Sequence, residues 1–194
     1  MKKKIIKIFK ESISVKEKFI NENLDTVVEV SELIADSFNK GGKLILFGNG
    51  GSASDASHIA AEFINRFKKE RPALPAIALT TDMAVMTSIA NDHDFSEIFS
   101  RQLKALAGKH DIVIAISTSG NSSNVIKAVE TAKRKKLKIV AFTGIKGDKL
   151  ASKADYVLAV PSNKVPRIQE THITLGHVLC QMVDEILFDA HRKR

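Results

Sequence analysis

Five short runs of aliphatic residues recur along this 194-residue sequence, and helix-length segments separate them. The runs are apolar at successive positions rather than at alternate ones, which is typical of strands covered on both faces of a parallel sheet. Parallel strands require crossover connections, and the intervening segments are long enough to supply them as helices. The runs occupy residues 44–47, 76–79, 112–116, 139–142 and 157–160. This pattern predicts an α/β three-layer sandwich with about five parallel strands and helices on both faces.

Helical segments are predicted at both ends of the chain. Apolar residues at helical spacing precede Gly41 and Gly42, so residues 1–40 are predicted to form an N-terminal helical segment that packs on the rest. Residues 41–194 then form the α/β domain, which closes with a helix from about residue 167 to residue 190. Because no linker-like stretch divides the chain, a single domain is expected.

Charge and cysteine content narrow the range of partners and compartments. The chain has 30 Lys and Arg against 22 Asp and Glu, and a net charge of +8 favours an anionic partner, either a polyanion or a small substrate. The basic blocks at residues 2–4, 133–136 and 191–194 lack interleaved aromatics, so we interpret them as solvated surface rather than a nucleic-acid or membrane site. A single Cys and the lack of a long uncharged apolar run predict a cytoplasmic protein.

Polar loops follow several of the predicted strands at their carboxyl ends, where open α/β sheets bind ligands. Residues 117–123 combine hydroxyls, Gly120 and the start of a helix, which together predict a phosphate site that needs no Lys. The alternative is that Ser122 or Ser123 only caps that helix. Residues 48–54 form a second such loop, but they lack the Lys of a P-loop and alone indicate little.

Two predicted helices carry groups suited to metal or proton chemistry. His58 and Glu62 are four residues apart on one helix face, as a metal pair, an acid/base pair or a surface ion pair would be. Gln169 and His177 are eight residues apart, so both lie on one broad side of the predicted last helix. Together these groups could bind one Zn²⁺ or supply a carboxylate base and an imidazole acid. On that last helix, His172 is expected at the surface and Cys180 in the core.

Taken together, these motifs resemble those of the phosphoheptose isomerases of the sugar-isomerase (SIS) fold. The resemblance extends from about residue 19 to residue 187. It rests on Gly-Asn-Gly-Gly-Ser at 48–52, on residues 53–62, on Ala-Asn-Asp at 90–92, on Ser-Thr-Ser-Gly-Asn-Ser at 117–122 and on Arg-Ile-Gln-Glu at 167–170.

The resemblance implies an aldose–ketose isomerase that converts sedoheptulose 7-phosphate to D-glycero-D-manno-heptose 7-phosphate, toward activated heptose for lipopolysaccharide or capsule. It also implies a homotetramer with its sites where subunits meet. The implied catalytic pair is Glu62 and His177, and the implied Zn²⁺ ligands are His58, Glu62, Gln169 and His177. The implied substrate contacts are Asn49, Gly50, Gly51, Ser52, Glu62, Asn91, Asp92, Ser117, Thr118, Ser119, Ser122 and Gln169.

Two other functions remain open at this point. Non-catalytic proteins with this fold bind a replication-initiator protein, and the positive charge is compatible with such a binding module. As far as the resemblance goes, that relative lacks the acid/base pair, whereas Glu62 and His177 are both present here. A third possibility is an isomerase of a different phosphosugar, such as a hexose phosphate.

Overall fold

A computed structural model describes residues 1–189 of the chain. Five parallel strands form one sheet in the order β2-β1-β3-β4-β5, which confirms the predicted three-layer α/β fold. The strands are β1 (Leu44–Gly48), β2 (Ala76–Ala78), β3 (Ile112–Ser117), β4 (Lys138–Gly144) and β5 (Tyr156–Val160). Each predicted apolar run coincides with one of them to within two residues at either end.

Helices connect the strands and cover the sheet. They are α1 (Lys2–Asn39), α2 (Gly51–Ile64), α3 (Met83–Asp92), α4 (Ile98–Leu106), α5 (Ser123–Arg134), α6 (Asp148–Ala151) and α7 (Val165–Phe188), with a short 3₁₀ turn at Phe95–Glu97. No helix within residues 1–189 is both long and apolar enough to cross a membrane. The division into a segment of residues 1–40 and a domain of residues 41–194 stays a prediction.

Successive residues of each central strand point into two different hydrophobic cores. Leu44 and Leu46 of β1 pack with α1, α2 and α7, whereas Ile45 and Phe47 pack with the helices on the other face, α4 and α5 among them. The residues of β1 and β3 are buried throughout, which is why their sequences are continuously apolar. Burial on both faces therefore fixes the sheet between two helical layers.

The strand order places a topological switch point between β1 and β3. From β1 the chain moves outward to β2, returns across β1 to β3 and continues to β4, so the connections that leave β1 and β3 run in opposite directions. Loops at such a point diverge and open a crevice beyond the carboxyl ends of the strands. The loops that follow β1 and β3 are the two polar loops singled out in the sequence.

The structure corrects one expectation about α7 and confirms another. His172 was expected at the helix surface, but it is fully buried. Its ring lies against Phe142, and its Nε2 lies 3.2 Å from the Thr143 carbonyl oxygen. Cys180 is buried in the core as predicted, and burial raises the pKa of its thiol to about 12.

Two of the three basic blocks lie on the surface. Residues 2–4 are exposed on the first turn of α1, and residues 133–136 are exposed around the end of α5. The end of α5 faces away from the carboxyl edge of the sheet, because α5 begins at that edge. The third block, residues 191–194, and the predicted helix end at residue 190 lie outside the described residues.

Candidate active site

The loops after β1 and β3 are joined by a pair of amide side chains. Asn49 Nδ2 donates to Asn124 Oδ1 at 2.9 Å, and Asn124 Nδ2 donates back to Asn49 Oδ1 at 2.8 Å. Asn124, in the first turn of α5, is almost completely buried. A reciprocal amide pair leaves little rotational freedom to either side chain. It therefore holds the two loops in register across the switch point.

Several hydroxyls line the loop between β3 and α5. Ser122 is the N-cap residue of α5, yet its side chain makes no capping hydrogen bond. Its Oγ instead lies 3.3 Å from the Oγ of Ser117 at the end of β3. Gly120 adopts a φ of +63°, and a Cβ there would lie 2.3 Å from the Cα of Gly147. The hydroxyls thus remain available for an anion beside the α5 N-terminus, as the phosphate interpretation requires.

A lysine that the sequence reasoning missed faces the same loop. Lys146, two residues beyond the end of β4, lines a cavity of about 270 Å³ together with Thr118, Ser119 and Asn121. Residues Ser162, Asn163, Val165 and Ile168 close its other side. Among residues 1–189 the Lys146 ammonium has no ion-pair partner. Its position just after a predicted strand, at the edge of the sheet where ligands bind, would have been enough to predict a role in binding.

The N-terminus of α2 brings the predicted loop and the last helix into contact. A Cβ on Gly51 would lie 2.3 Å from the Gln169 Nε2, so the Gln169 amide occupies the space that any side chain at this position would need. Gly50 precedes it with a φ of +54°, and Ser52 is buried in the first turn of α2. The helix begins at Gly51, because the Ser52 and Ala53 amides already donate to carbonyl oxygens of the preceding loop.

Three of the predicted chemical groups converge although they come from two helices. His58 Nε2 lies 3.1 Å from Glu62 Oε1 on α2 and 3.2 Å from His177 Nε2 on α7. All three ligand atoms lie within 4.8 Å of one another. The side chain of Glu62 is 25% exposed and that of His58 is 50% exposed, so a small molecule has access to both. The His58–Glu62 pair is therefore part of a three-residue cluster rather than an isolated surface ion pair.

The donor set of this cluster fits a zinc ion. Two imidazole nitrogens bound to one tetrahedral Zn²⁺ would lie about 3.3 Å apart, because each Zn–N bond is about 2.0–2.1 Å long. The two Nε2 atoms lie 3.2 Å apart, and a carboxylate oxygen completes the group. Imidazole and carboxylate are common zinc ligands. Gln169 lies on the same helix as His177, two turns toward its N-terminus.

Asn91 and Asp92 end α3 and are both exposed. Asn91 Nδ2 donates to Asp92 Oδ1 at 2.9 Å. In the part of the chain that the structure describes, neither side chain bonds to the cluster or to the two polar loops. Their predicted contact with substrate stays a prediction.

Asp55 lies one turn before His58 on α2 and is half-buried. Desolvation raises the pKa of its carboxyl group to about 6, while the nearby His58 acts in the opposite direction. Its Oδ2 is buried without a hydrogen-bond partner among residues 1–189. With this pKa the Asp55 carboxyl is still mostly ionised at pH 7 and becomes protonated near pH 6, about two pH units above an ordinary Asp.

Residues 8–144 match the SIS domain family, so the chain is a SIS domain protein. It is 66% identical over 186 residues to the phosphoheptose isomerase of Thermodesulfovibrio yellowstonii, an alignment that covers 96% of this chain and 92% of that protein. The chain belongs to the phosphoheptose isomerase family.

Solved structures agree with that assignment. The phosphoheptose isomerase of Francisella tularensis superposes with a TM-score of 0.91 at 38% identity, covering 94% of this chain and 97% of that one. The corresponding structure from Neisseria gonorrhoeae gives 0.89 at 39% identity, covering 95% and 98%. The chain is therefore an enzyme, an aldose–ketose isomerase, as the family resemblance implied. The alternative of a non-catalytic binding module has no support from these relatives.

Proposed function

We propose that this enzyme converts sedoheptulose 7-phosphate to D-glycero-D-manno-heptose 7-phosphate through an enediol. The observation that carries the proposal is the cluster of His58, Glu62 and His177, whose ligand atoms lie within 4.8 Å of one another. The names of the relatives favour a heptose phosphate over a hexose phosphate. In this proposal the product leads to nucleotide-activated heptose for lipopolysaccharide or capsule.

The phosphate of the substrate is proposed to bind to the loop between β3 and α5. Ser117, Thr118, Ser119 and Ser122 would donate hydroxyl or amide hydrogens, and the free N–H groups at the start of α5 would add to them. Further proposed contacts with the substrate are Asn49, Gly50, Gly51, Ser52, Gln169, Asn91 and Asp92. Anchoring the phosphate at this edge directs the sugar toward α2 and α7.

Glu62 and His177 are proposed to move the protons. The Glu62 carboxylate removes a proton from the carbon beside the ketose carbonyl, which produces a cis-enediolate. A proton added to the former carbonyl oxygen then gives the cis-enediol. His177 then transfers protons on the oxygens or returns one to carbon from the opposite side. A general base and a general acid each contribute about 10²–10⁴-fold to the rate. Glu62 lies on α2 and His177 lies on α7, so the substrate is proposed to bind between these two helices.

His58, Glu62, Gln169 and His177 would hold the proposed Zn²⁺. When bound, this ion would supply Lewis-acid polarisation of the substrate carbonyl and would stabilise the negative charge that develops during proton transfer. The two proposed roles of Glu62 compete, because a carboxylate bound to a divalent cation is a weaker base. Activity measured with and without a chelator separates the two roles.

A homotetramer is proposed as the active form. The support is the apolar surface of α1, where Ile6, Phe9, Ile13, Leu24 and Val28 are all exposed. Exposed apolar patches of this extent mark interaction surfaces. Val178 on α7 is also exposed and lines an apolar groove together with Leu24 and Val28, so the apolar surface continues from α1 onto α7. The proposed location is the cytoplasm, where the thiol of Cys180 would stay reduced.

A substrate panel tests the proposal. Purified enzyme is incubated with sedoheptulose 7-phosphate, fructose 6-phosphate and ribulose 5-phosphate, each with and without a chelator, and the aldose products are separated by chromatography. The expected result is a kcat/KM for the heptose phosphate at least tenfold above the others. A preference for one of the shorter sugars, or no turnover of any of them, would overturn the proposal.

Replacing Glu62 by Gln tests the proposed base. The Glu62→Gln variant keeps the size of the side chain and one ligand oxygen but removes its basicity. We expect kcat to fall by at least about 10²-fold, with the fold and the binding of inorganic phosphate unchanged. Circular dichroism and calorimetric titration check those two controls. Substantial isomerase activity in this variant would show that another group removes the proton.

A further inference from the structure

The segment that follows α2 makes a series of contacts along one face of α7. We call residues 67–71 the strap; they have no regular secondary structure. Phe67 stacks on the ring of His177, with ring centroids 5.4 Å apart and planes inclined at 26°. Lys68 donates to Gln181 at 2.9 Å, and Arg71 donates to Asp184 at 2.8 Å. Positions 177, 181 and 184 share one helix face, so the strap runs parallel to α7.

Arg71 is the most deeply buried side chain of the strap. Its side chain is 1% exposed and that of Asp184 is 3% exposed. Beyond its bond to Asp184, the guanidinium donates to the Glu62 carbonyl oxygen at 2.9 Å and to the Phe63 carbonyl oxygen at 2.7 Å. Carbonyls of a last helical turn lack partners within the helix. Arg71 therefore provides hydrogen-bond donors for carbonyl oxygens at the end of α2, including that of Glu62, the proposed base. Its bond to Asp184 connects this end of α2 to α7.

The cluster depends on how α2 and α7 are placed, because His58 and Glu62 come from one and His177 from the other. The helices also meet at Gly176, where a Cβ would lie 2.5 Å from Ile59 Cδ1. That contact sets how closely the helices approach. That contact does not fix the orientation of the His177 ring. The strap does so, because Phe67 covers one face of this ring.

We propose that Phe67 and Arg71 are positioning residues for the cluster. Phe67 orients the His177 ring, and Arg71 holds the Glu62 turn of α2 at a set distance from α7. The proposal rests on the proposed function for the role of the cluster in isomerisation and in Zn²⁺ binding. Its test therefore includes Zn²⁺ binding, which needs no sugar substrate and is informative even if the assigned substrate is wrong.

The first variant is Phe67→Leu, which removes the aromatic plane and keeps an apolar side chain. We expect Zn²⁺ affinity, measured by competition with a chromophoric chelator, to fall about tenfold, as it does when groups that orient metal ligands are removed. The d–d absorption of the Co²⁺ form should change in intensity, and kcat should fall without a rise in KM. Phe67→Tyr retains the ring and should restore affinity to within twofold of the wild type.

The second variant is the double substitution of Arg71→Met and Asp184→Leu. Replacing a buried ion pair by apolar residues of similar size commonly preserves folding, whereas removing only one partner leaves a buried charge. The bonds from Arg71 to the end of α2 are lost, so we expect a folded protein with about tenfold weaker Zn²⁺ binding. Glu70→Gln is the matched control, since Glu70 lies in the strap and is exposed.

These outcomes decide the proposal. Weaker Zn²⁺ binding by Phe67→Leu and by the double variant, with unchanged binding by Glu70→Gln and recovery by Phe67→Tyr, supports it. Zn²⁺ affinity within twofold of the wild type in Phe67→Leu overturns the role of Phe67. The same result in a folded double variant overturns the role of Arg71.

Discussion

The two histidines of α7 are five residues apart and lie in opposite environments. His177 meets His58 at an accessible surface, whereas His172 is fully buried beside Phe142. His172 Nε2 lies near the Thr143 carbonyl oxygen, which requires the hydrogen on that nitrogen. Its Nδ1 has no partner within residues 1–189. Protonation would place a second N–H in the core without an acceptor, so His172 has a structural role.

Acidification should destabilise the protein through His172. Burial lowers the pKa of this imidazole from 6.5 to about 4, so the unfolded chain binds its proton at a higher pH than the folded chain does. Its contribution to stability is thus complete above pH 6.5 and declines as the pH falls toward 4. Between pH 7.5 and pH 5 the free energy of unfolding should fall by about 2 kcal/mol from this group.

Urea unfolding of the wild type and of His172→Gln at both pH values measures this contribution. Subtracting the two pH dependences isolates His172 from the carboxylates, including Asp55, whose raised pKa stabilises the folded state as the pH falls. An equal pH dependence in the two proteins would contradict the prediction.

Lys146 is the second residue with a specific expectation. It lines a cavity with Thr118 and Ser119 of the proposed phosphate loop. A charge-assisted bond to a phosphate oxygen contributes about 1.5–3 kcal/mol, less where solvent screens it. We therefore expect Lys146→Gln to raise the KM for the sugar phosphate about tenfold and to leave kcat nearly unchanged.

Lys149→Gln is the control for this substitution, since Lys149 is exposed on α6 and is not a lining residue of that cavity. Steady-state kinetics at low and high salt should show a larger KM difference at low salt. Equal KM values for Lys146→Gln and the wild type would exclude a contact with phosphate.

At the scale of elements, the loop between β3 and α5 depends on close packing against the loop after β4. Gly120 has a φ of +63° and approaches Gly147 so closely that no side chain fits between them. Asn49 and Asn124 then connect this loop to the one after β1. The proposed phosphate site is therefore built by three loops, of which two were recognisable from their polar sequences.

Gly120→Ala should disrupt this site, and Gly41→Ala provides a matched control. Both glycines have positive φ, at +63° and +75°, so each substitution has a backbone cost of about 1 kcal/mol. Only at Gly120 would the new Cβ also meet a backbone atom, whereas nothing lies within 4 Å at Gly41. We expect both variants to unfold more easily.

Only Gly120→Ala should also weaken phosphate binding, by tenfold or more. Isothermal titration with inorganic phosphate and thermal unfolding separate the two effects. Similar phosphate affinity in the two variants would show that the loop tolerates a side chain at this position.

At the scale of the whole molecule, α1 presents an apolar surface that the described residues leave uncovered. It is 38 residues long, and Phe19 is the first of its residues to be buried. The first half makes polar contacts with α7, among them Ser12 with Glu170 and Arg167 with the Ile8 carbonyl oxygen. Its apolar side chains are left for another surface, which the proposal identifies as another copy of the chain.

Light scattering after size exclusion tests the tetramer. We expect a mass four times the 21.3 kDa of the chain, and a smaller species for a variant with both Ile13→Glu and Leu24→Glu. That variant should also lose activity, because the sites are proposed to form where subunits meet. Lys18→Glu on the same helix is the charged control. An active wild-type monomer at assay concentration would contradict the prediction.

Much of this protein was determined by local sequence. Strands buried on both faces need continuously apolar residues, so the five strands and their parallel arrangement were predictable from residues such as Leu44 and Ile114. The grouping of the polar loops at one edge of the sheet was equally predictable, since the carboxyl ends of parallel strands share one edge. The pairing of His58 with Glu62 followed from helical spacing alone.

Contacts between residues that are distant in the sequence could not be predicted from local patterns. His58 and His177 are 119 residues apart, and their 3.2 Å separation depends on how α2 packs on α7 through Gly176 and Arg71. The burial of His172 was likewise hidden, because helical spacing gives an angle around α7 but does not say which sides other elements cover. Spacing along a chain determines neighbours within one element, whereas contacts between elements arise from packing of the whole core.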